Sequence, residues 1–376
     1  MPGNESVSMK VLLQHRHRND EISGVLTYVN YIALGLKEQG IDTKVVSTHE
    51  QNCYQWLQMI LWADIVHMNS NHLLFACLCK IFNRKIVIKY HYLFYQSIHI
   101  QYQPMKFLER IRTDVLYSLP KPKYPLKWQL YAIVIWVRLI IRLCTAWLAD
   151  RHLACSQFLA ESLAFPWDVL TLYNPIPITE SPIPKNRETL SQPYTFVFVG
   201  RLSHDKGVDL LLQATRILSA HYQEFQVLII GEGQEAKKLK QMAIDLAIED
   251  HVQFLGRLSQ AEVLQALTSA LALVVPSRWQ DPAPYVVLEA SSVQTCSIVS
   301  CMGGLPEIAG PANFVVNNED PVAISEKMEF CLQNPQESLV RGRKAQQFVL
   351  HHFSPRQIIL QLIQYLQSDI PQVDRN

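Results

Sequence analysis

Short apolar segments alternate along this chain with polar loops and helix-like stretches, and this alternation limits the fold more than any other feature. MKVLL (9–13) opens the first half in this way, and YTFVFV (194–199) opens the second. Such a run between turn signals is typical of a buried strand, and a helix between consecutive strands makes them parallel. The chain is therefore predicted to be α/β, and its 376 residues suffice for two domains of ordinary size.

Charge and cysteine usage narrow the class of function. The 34 basic and 33 acidic side chains leave a formal charge of +1, so no nucleic-acid partner is predicted. Eight cysteines are scattered through apolar segments, which is typical of reduced, buried thiols. Cys77 and Cys79 lack a second pair at zinc-binding spacing, so no metal site is expected there. The N-terminal stretch lacks the basic start and apolar core of a signal peptide, and we expect a cytoplasmic protein.

Residues 276–310 carry two acids around a helix start. Pro282 and Pro284 keep the preceding loop out of a helix, and a proline suits the first helical turn because its missing N–H needs no partner there. We therefore expect a helix from about Pro284, whose dipole favours phosphate in front of it. Asp281 lies just before that terminus and Glu289 lies in the second turn. Carboxylates that flank a phosphate site are placed to accept hydrogen bonds from sugar hydroxyls.

A second polar cluster follows the strand at 194–199. Gly200 allows the chain to turn, and Arg201 and Lys206 are presented at the carboxyl end of that strand, the edge at which α/β sheets bind ligands. Two cations there can neutralise a diphosphate. No Asp-x-Asp metal motif occurs near a strand end, so we expect the two cations to replace a divalent ion, with no cofactor.

These two segments resemble the family 4 retaining glycosyltransferases, which have the GT-B fold. In that family an acid, seven residues and a second acid precede a strand and a Gly-Gly turn that ends in Pro-Glu. The matching residues here are Asp281, Glu289, Gly303, Gly304, Pro306 and Glu307. The string GRL-x-x-x-KG from Gly200 is a second match. The resemblance covers nearly all of the chain and is most specific in the second half.

The resemblance implies two Rossmann-like domains that face each other across a cleft, with a C-terminal helix that crosses back to the first domain. We expect an acceptor-side domain over 1–178 and a nucleotide-sugar domain over 194–353. The stretch 179–193 is polar and contains several prolines, which is typical of an interdomain linker. The returning helix is expected over 354–376.

The resemblance also implies a reaction: transfer of a sugar from a UDP- or GDP-sugar to a hydroxyl of a glycan or lipid-linked acceptor, with retention and without a metal. Arg201 and Lys206 would stabilise the departing diphosphate. Asp281 would hold the hydroxyls of the donor sugar, and Glu289 those of the ribose. Further donor contacts are expected at Gly200, Gly231, Tyr285 and Val286.

Two residues of the first half are expected to join the site. Gly24 precedes the first helix, where the absence of a side chain lets backbone approach a ligand; the family usually has Gly-Gly here, and the first position is Ser23. His91 follows the strand KIVIKY (85–90). The family carries a histidine or an acid at that place, near the anomeric carbon and the acceptor. The alternative for His91 is a structural role.

Three interpretations of residues 101–151 stay open. The apolar segment 128–149 is long enough to span a membrane, although Arg138 and Arg142 lie in its middle, where charge is costly. It would otherwise be a long helix within the first domain, with its arginines turned to solvent or to the cleft. The third interpretation is a peripheral segment in the plane of an anionic membrane surface, at the inner face of the membrane.

Other functions fit parts of the sequence. Gly231, Gly233 and Ala236 follow a strand in the G-x-G-x-x-A form of a dinucleotide fingerprint. However, Glu249 and Asp250 precede the next strand instead of ending it, so the ribose contact would be misplaced. A catalytically silent protein that binds a nucleotide sugar or a lipid, and a GT-B epimerase or phosphorylase, are the alternatives to the transferase.

Overall fold

The computed structural model describes residues 9–18, 23–95, 103–117, 126–176 and 192–368, apart from the side chains of 117 and 126–132. The chain divides into two compact units, residues 1–175 with 355–376, and residues 176–354. The first unit thus ends at 175, where the sequence predicts 178. The predicted linker 179–193 lies outside the described residues except for its last two positions.

Strands and helices alternate through the first unit. They are β1 Lys10–His15, α1 Gly24–Glu38, β2 Asp42–Ser47, α2 Cys53–Trp62, β3 Ile65–Met68, α3 Leu73–Ile81, β4 Lys85–Tyr90, α4 Phe107–Tyr117, α5 Leu126–Leu148, β5 Arg151–Ala154, α6 Gln157–Leu163, β6 Val169–Thr171 and α14 Pro355–Gln367. The strands form one sheet in the order β2-β1-β3-β4-β5-β6, and the described pairings are parallel. The predicted α/β class is confirmed.

The second unit repeats this architecture with a different strand order. Its elements are β7 Tyr194–Val199, α7 Val208–Ser219, β8 Phe225–Ile230, α8 Ala236–Asp245, β9 Val252–Gly256, α9 Gln260–Ser269, β10 Ala272–Val275, α10 Tyr285–Ser292, β11 Cys296–Ser300, α11 Leu305–Ala309, β12 Phe314–Val316, α12 Pro321–Gln333 and α13 Pro335–His352. The parallel sheet runs β9-β8-β7-β10-β11-β12. This is the Rossmann order, which reverses between β7 and β10.

Interior strands of both sheets are largely apolar, as expected for sheets that have helices packed on both faces. Each residue of β3, β10 and β11 is buried. In the first unit α1 and α14 pack on the sheet, and Leu36, Ile358 and Leu362 belong to one core with Val11 and Leu13. The sheets are therefore rigid supports for the loops at their carboxyl ends.

The last helix belongs to the first unit, as predicted. Its final carbonyl groups accept hydrogen bonds from cations at the starts of two strands: Lys85 Nζ donates to the Leu366 carbonyl at 2.9 Å, and Arg151 donates to the Tyr365 carbonyl at 2.6 Å. Cations are favourable at a helix C-terminus because of the helix dipole. Polar contacts as well as core packing hold α14 on the first sheet.

Helix α5 occupies most of the apolar segment that the sequence leaves open. Its buried face includes Ile135, Leu139 and Ala146. Large apolar side chains are exposed elsewhere on the helix, at Ile133, Val134, Val137, Ile140, Ile141 and Trp147. Within the described ranges, none of the helices combines the length and the apolar character needed to cross a bilayer.

Candidate functional site

The loops that leave β7 and β10 are neighbours because the second sheet reverses its strand order between these strands. In open α/β sheets ligands bind outside the carboxyl ends of the strands at such a reversal. The loop after β7 contains Gly200, Arg201 and Lys206, and the loop after β10 contains Asp281 and leads into α10. The fold brings the two segments that the sequence marks as functional to one edge of one sheet.

Hydrogen bonds hold these two loops against each other. The carbonyl oxygen of Asp205 accepts from the backbone amides of Arg278 and Trp279, at 2.9 and 3.1 Å. The hydroxyl of Ser277 donates to the same oxygen at 3.2 Å. One carbonyl of the first loop is thus the anchor for three groups of the second.

Gly207 allows this close approach. It follows the 3-10 turn His204–Lys206 with a left-handed φ of +67°, and a Cβ there would lie within 3.0 Å of the Pro276 carbonyl oxygen. Both the backbone conformation and the missing space favour glycine. The position of Lys206 is therefore set by backbone packing.

Lys206 and Asp281, predicted to bind different parts of the donor, form an ion pair. Lys206 Nζ donates to Asp281 Oδ2 at 2.7 Å, and the two side chains are 20% and 21% exposed. Partial burial reduces the screening of such a pair by water. In contrast, the side chain of Arg201 is 71% exposed, and its ion pair with Asp205 spans 3.8 Å. The lysine is positioned in advance, whereas Arg201 extends toward solvent.

The Gly-Gly turn after β11 folds onto the loop that carries Asp281. The Gly303 amide donates to Gln280 Oε1 at 2.7 Å, and the Gly304 amide donates to the Asp281 carbonyl at 2.8 Å. Gly303 has φ +61°, and a Cβ there would lie 2.6 Å from that carbonyl oxygen. The turn supports the backbone of Asp281, so the glycine pair and the acid form one structural unit.

Helix α10 begins at Tyr285, directly after Pro284, where the two prolines predict a start. Pro284 is the N-cap residue and no side chain caps the helix. The positive end of the helix dipole, at Tyr285 and Val286, is directed at the loop after β10, where it favours an anion.

Glu289 lies in the second turn of α10 and is half-buried. Burial raises the pKa of its carboxyl above the usual value, and a hydrogen bond with Gln260 partly offsets this effect. Ligand hydroxyls that donate to this carboxylate would favour its charged form. The residue therefore gains more from a hydroxyl-bearing ligand than an exposed acid would.

Replacing Glu289 by glutamine is expected to separate stability from binding. Because the folded protein holds this carboxyl with a raised pKa, its free energy of unfolding falls as the pH rises through that pKa. The neutral glutamine removes this loss, so Glu289→Gln should be as stable as the native protein or more stable at alkaline pH. If Glu289 holds ribose hydroxyls, as the family resemblance implies, the affinity for a nucleotide should fall about tenfold, because a charged acceptor is lost.

Urea denaturation and nucleotide titration at several pH values measure the two effects. Glu249→Gln is the matched control, since Glu249 is exposed in the same unit and neither quantity should change. A loss of stability at alkaline pH in Glu289→Gln would contradict the assigned burial.

Arg278 is a structural residue of the site that the sequence did not reveal. Its guanidinium donates to both carboxylate oxygens of Asp209, at 2.6 and 2.8 Å, and to the carboxylate of Glu319 at 2.5 Å. It also donates to the His204 carbonyl at 3.1 Å. These partners belong to three segments, the 3-10 turn at His204, the start of α7 and the loop before α12, and the arginine links all three by hydrogen bonds. The sequence did not predict these contacts, because the partners lie far from Arg278 along the chain.

Gly231 and Gly233 pack the loop after β8 onto the loop after β7. A Cβ on Gly231 would lie within 3.0 Å of the Gly200 carbonyl oxygen, and one on Gly233 equally close to the Leu202 carbonyl oxygen. The Gly231 amide donates to the Gly256 carbonyl at 2.7 Å. The G-x-G pattern thus has a packing explanation in this unit, without a dinucleotide.

The other two predicted residues, Gly24 and His91, belong to the first unit. Gly24 is the first residue of α1, and Ser23 caps this helix, because its Oγ accepts from the Leu26 amide at 3.1 Å. The serine at the first glycine position of the family therefore has a structural role. His91 lines a cavity of about 620 Å³ at the carboxyl ends of β1, β3 and β4.

The described lining of this cavity is basic and includes no Asp or Glu. Its basic side chains are Arg16, His17, His49, Lys89, His91, Arg138 and Arg142. Of the arginines, Arg138 and Arg142 come from α5, as one of the sequence interpretations allows. Sequence reasoning missed Arg16 and Lys89, although both stand at strand ends, where ligand contacts are expected.

A buried hydrogen-bonded cluster lies next to the cavity. His67 Nε2 pairs with the Tyr28 hydroxyl at 3.0 Å, and His91 Nε2 pairs with Asn69 Oδ1 at 3.0 Å. Burial, followed by the charge of Lys89, lowers the pKa of His67 to about 3 and holds the pKa of His91 well below its usual value. Both imidazoles are therefore neutral at physiological pH, and His91 is a hydrogen-bonding group, not a cation.

Solved structures show the fold class of the chain. The crystal structure of HepE of Anabaena in complex with UDP superposes with a TM-score of 0.70 over 96% of this chain and 100% of that chain, at 17% identity. Sucrose-phosphate synthase of Thermosynechococcus elongatus superposes with a TM-score of 0.69 over 96% and 98%, at 16% identity. These similarities confirm the predicted GT-B fold, with two Rossmann-like domains.

The second unit also matches a protein family by sequence. Residues 181–348 match the family model of Glycosyl transferases group 1. The matched range contains the predicted donor-site residues of this unit, from Gly200 to Glu289. The part of the chain with the family pattern is thus the part that forms the candidate site.

Two curated relatives extend this match. An uncharacterized glycosyltransferase of Haemophilus influenzae is 30% identical over 175 residues, which are 46% of this chain and 44% of that protein. The GDP-mannose-dependent monoacylated alpha-(1-6)-phosphatidylinositol monomannoside mannosyltransferase of Corynebacterium glutamicum is 31% identical over 142 residues, 36% of this chain and 37% of that protein. The chain spans less than half the length of each relative.

Proposed function

We propose that the protein is a glycosyltransferase that moves a sugar from a nucleoside-diphosphate sugar to a hydroxyl of an acceptor. The observation that carries this proposal is the Lys206–Asp281 ion pair at the strand reversal of the second sheet, just before α10. A cation, a helix N-terminus and a carboxylate at one sheet edge suit the diphosphate and the sugar hydroxyls of such a donor. UDP and GDP are the favoured nucleotides, since HepE was solved with UDP and the corynebacterial relative is named for GDP-mannose.

Donor binding exchanges the partners of Lys206. A diphosphate carries more negative charge than one carboxylate, so Lys206 turns from Asp281 to the phosphate oxygens. Asp281 can then accept hydrogen bonds from the hydroxyls of the donor sugar. Arg201 adds a second cation, because its exposed side chain can move toward the ligand. As the bond from the anomeric carbon to the phosphate oxygen breaks, both cations and the α10 dipole stabilise the growing negative charge.

The remaining predicted residues are assigned around this centre. Glu289 holds the ribose hydroxyls, and Gly200, Gly231, Tyr285 and Val286 contribute backbone contacts to the nucleotide. Gly24 and His91 act on the acceptor side, in the first unit. A neutral His91 suits this role, because it can exchange a hydrogen bond with an acceptor hydroxyl.

We further propose that transfer retains the anomeric configuration, proceeds without a metal, and places the protein in family 4. The support is the residue pattern around Asp281 and Glu289 and the presence of two cations where a divalent ion would otherwise neutralise the diphosphate. Proton NMR of the first-formed product tests retention. Transfer at an unchanged rate in excess EDTA is expected, and loss of transfer that Mg²⁺ or Mn²⁺ restores would contradict metal independence.

We also propose that the protein works in the cytoplasm, at the anionic inner face of a membrane. None of the eight cysteines, all of which lie in the described ranges, forms a disulfide, which suits a reducing compartment. Helix α5 presents an exposed apolar face, with Val137 and Ile140 49% and 59% exposed. On α4 the exposed residues Leu108, Arg112 and Leu116 follow each other at helical spacing. Exposed apolar side chains with interspersed cations are typical of helices that lie in an anionic membrane surface.

A glutamate at Val137 is expected to weaken membrane binding about tenfold, because an apolar contact with the acyl region is replaced by a charge that the surface repels. Flotation with vesicles of phosphatidylglycerol, compared with phosphatidylcholine, measures the bound fraction. Leu360→Glu is the matched control: Leu360 is 43% exposed on a different helix, α14, of the same unit. If Val137→Glu and the native protein float equally, α5 does not contact the membrane.

A further inference from the structure

The basic cavity of the first unit is lined by residues of that unit alone, and of these the proposed function uses only His91. Its volume of about 620 Å³ suits a small molecule or a headgroup. It opens at the carboxyl ends of β1, β3 and β4, and this sheet changes strand order between β1 and β3. It therefore occupies the ligand position that parallel sheets provide.

The charge of the cavity selects the class of ligand. Arg16 follows β1, and Arg138 and Arg142 project from α5. Of the acids in the described parts of the chain, Asp114 is near enough to act on the charge of Arg142, but it does not line the cavity. Three guanidinium groups around one space match the fork geometry and the charge of a phosphate.

Lys89 is the independent observation that points to an anion. Lys89 lines the cavity, yet only 1% of its surface is exposed to solvent. Its Nζ donates to Asn174 Oδ1 at 3.0 Å and to the Tyr173 carbonyl at 3.3 Å, and it lies 3.5 Å from the centre of the Tyr28 ring. These partners are neutral, and no carboxylate of the described residues pairs with this lysine. Burial therefore holds its pKa well below the usual value.

An unpaired buried ammonium is costly, and a bound anion removes that cost. The groups that face Lys89 are Tyr28 from α1, His67 from β3, His91 after β4, Cys155 after β5 and Asn174 after β6. None of them supplies a carboxylate. Because these partners are neutral, an anion in the cavity would supply the negative charge that favours the ammonium form of this lysine, and Arg16, Arg138 and Arg142 favour the same kind of ligand.

We propose that this cavity binds a phosphate or diphosphate group of the sugar acceptor, and that Lys89, Arg16, Arg138 and Arg142 hold that group while the hydroxyl to be glycosylated lies nearby. The inference rests on the proposed function, because it names the acceptor class of that reaction. The phosphate can belong to a lipid headgroup or to a water-soluble phosphorylated sugar or alcohol. Both sources present the same anion to the arginines.

Titration with two probes, inorganic phosphate and decyl phosphate, tests the proposal. It is performed on Lys206→Ala protein, so that the diphosphate site of the second unit contributes less to the binding signal, and the cavity is identified by the difference that a cavity substitution makes in this background. Arg138→Gln is added to this background; Arg138 is exposed, so its replacement leaves the fold intact. Arg356→Gln is the matched control, because Arg356 is an exposed arginine on α14 of the same unit that does not line the cavity.

The expected result is binding of decyl phosphate that Arg138→Gln weakens about tenfold, since a charge-assisted hydrogen bond is lost, and that Arg356→Gln leaves unchanged. Tighter binding of decyl phosphate than of inorganic phosphate supports the proposal with a lipid-borne acceptor. Equal binding supports it with a soluble one. Absent binding, or binding that Arg138→Gln does not weaken, overturns it.

The two proposals fail in different ways. If the native protein consumes a nucleotide sugar but the cavity variants bind phosphate like their parent, the acceptor inference alone is wrong. If the cavity binds phosphate but the native protein neither binds nor consumes any nucleotide sugar, the proposed function is wrong, and the assignment of the phosphate to an acceptor falls with it.

Discussion

Alanine in place of Lys206 is expected to lower kcat/KM for sugar transfer about 10²- to 10³-fold, the usual loss when one group that stabilises developing charge is removed. Lys206 is held at the sheet edge before the donor arrives, with its Nζ 2.7 Å from Asp281. In the proposed function its ammonium group exchanges Asp281 for the diphosphate, and this exchange needs no movement of the loop that carries it. Steady-state kinetics with a donor that the native protein consumes gives the ratio.

Lys238→Ala is the matched control for this prediction. Lys238 pairs with Glu235 at 3.0 Å in the same unit, and its side chain is 72% exposed. Loss of an exposed pair changes stability by about 1 kcal/mol or less, and kcat/KM should stay close to the native value. A native kcat/KM in Lys206→Ala would show that this lysine does not stabilise the leaving group.

Alanine in place of Gly207 is expected to destabilise the second unit by about 3 kcal/mol or more. The left-handed backbone costs a side chain about 1 to 2 kcal/mol, and overpacking against the Pro276 carbonyl adds about 1 to 3 kcal/mol. The loop must shift to relieve the contact, so Lys206 leaves its position and donor affinity falls as well. Urea denaturation, with hydrogen exchange mass spectrometry to follow each unit separately, measures the change.

Gly40→Ala separates the two causes. Gly40 has φ +75°, but a Cβ there meets no atom within 4 Å. Only the backbone cost of about 1 to 2 kcal/mol applies, and it falls on the first unit. Equal losses of stability in the two variants would show that the packing of Gly207 on Pro276 does not hold the loop.

The fold could be predicted from local sequence because each βα unit carries its own signals. Pro284 marks the start of α10, Ser156 caps α6, and glycines mark the turns. The return of α14 to the first unit came from the family resemblance, since no local signal in the helix names its partner. Helix α13 was not predicted, because few of its residues are apolar and the sequence therefore shows little helical periodicity. The core residues that it packs against belong to other elements, α10 and β11.

The candidate site could be predicted residue by residue but not as contacts. Lys206 and Asp281 were assigned to phosphate and sugar, yet the pairing of residues 75 positions apart depends on the strand order of the sheet. The links of Arg278 to Asp209 and Glu319 were missed for the same reason. The roles of the predicted residues, including His91 and Gly24, stay predictions until a ligand is bound.

The region of α4 and α5 shows where sequence patterns stop being informative. An apolar helix of this length can be buried, can lie on a membrane or can cross it, and composition does not separate these cases. The structure shows that Ile135 and Leu139 of α5 are buried within the first unit, whereas Val137 and Ile140 are exposed. It also adds that Arg138 and Arg142 line a cavity with Lys89, a contact that no periodicity predicts.

The most direct test of the claim that the second unit is the donor site of a glycosyltransferase is mass spectrometry of its products. The protein is incubated with a panel of UDP- and GDP-sugars, a cell-lipid extract and excess EDTA, beside Lys206→Ala. We predict that the native protein releases one nucleoside diphosphate, that the variant does not, and that one acceptor gains the mass of one sugar. Release of no nucleotide, or binding of a donor without turnover in the presence of the extract, would contradict the claim.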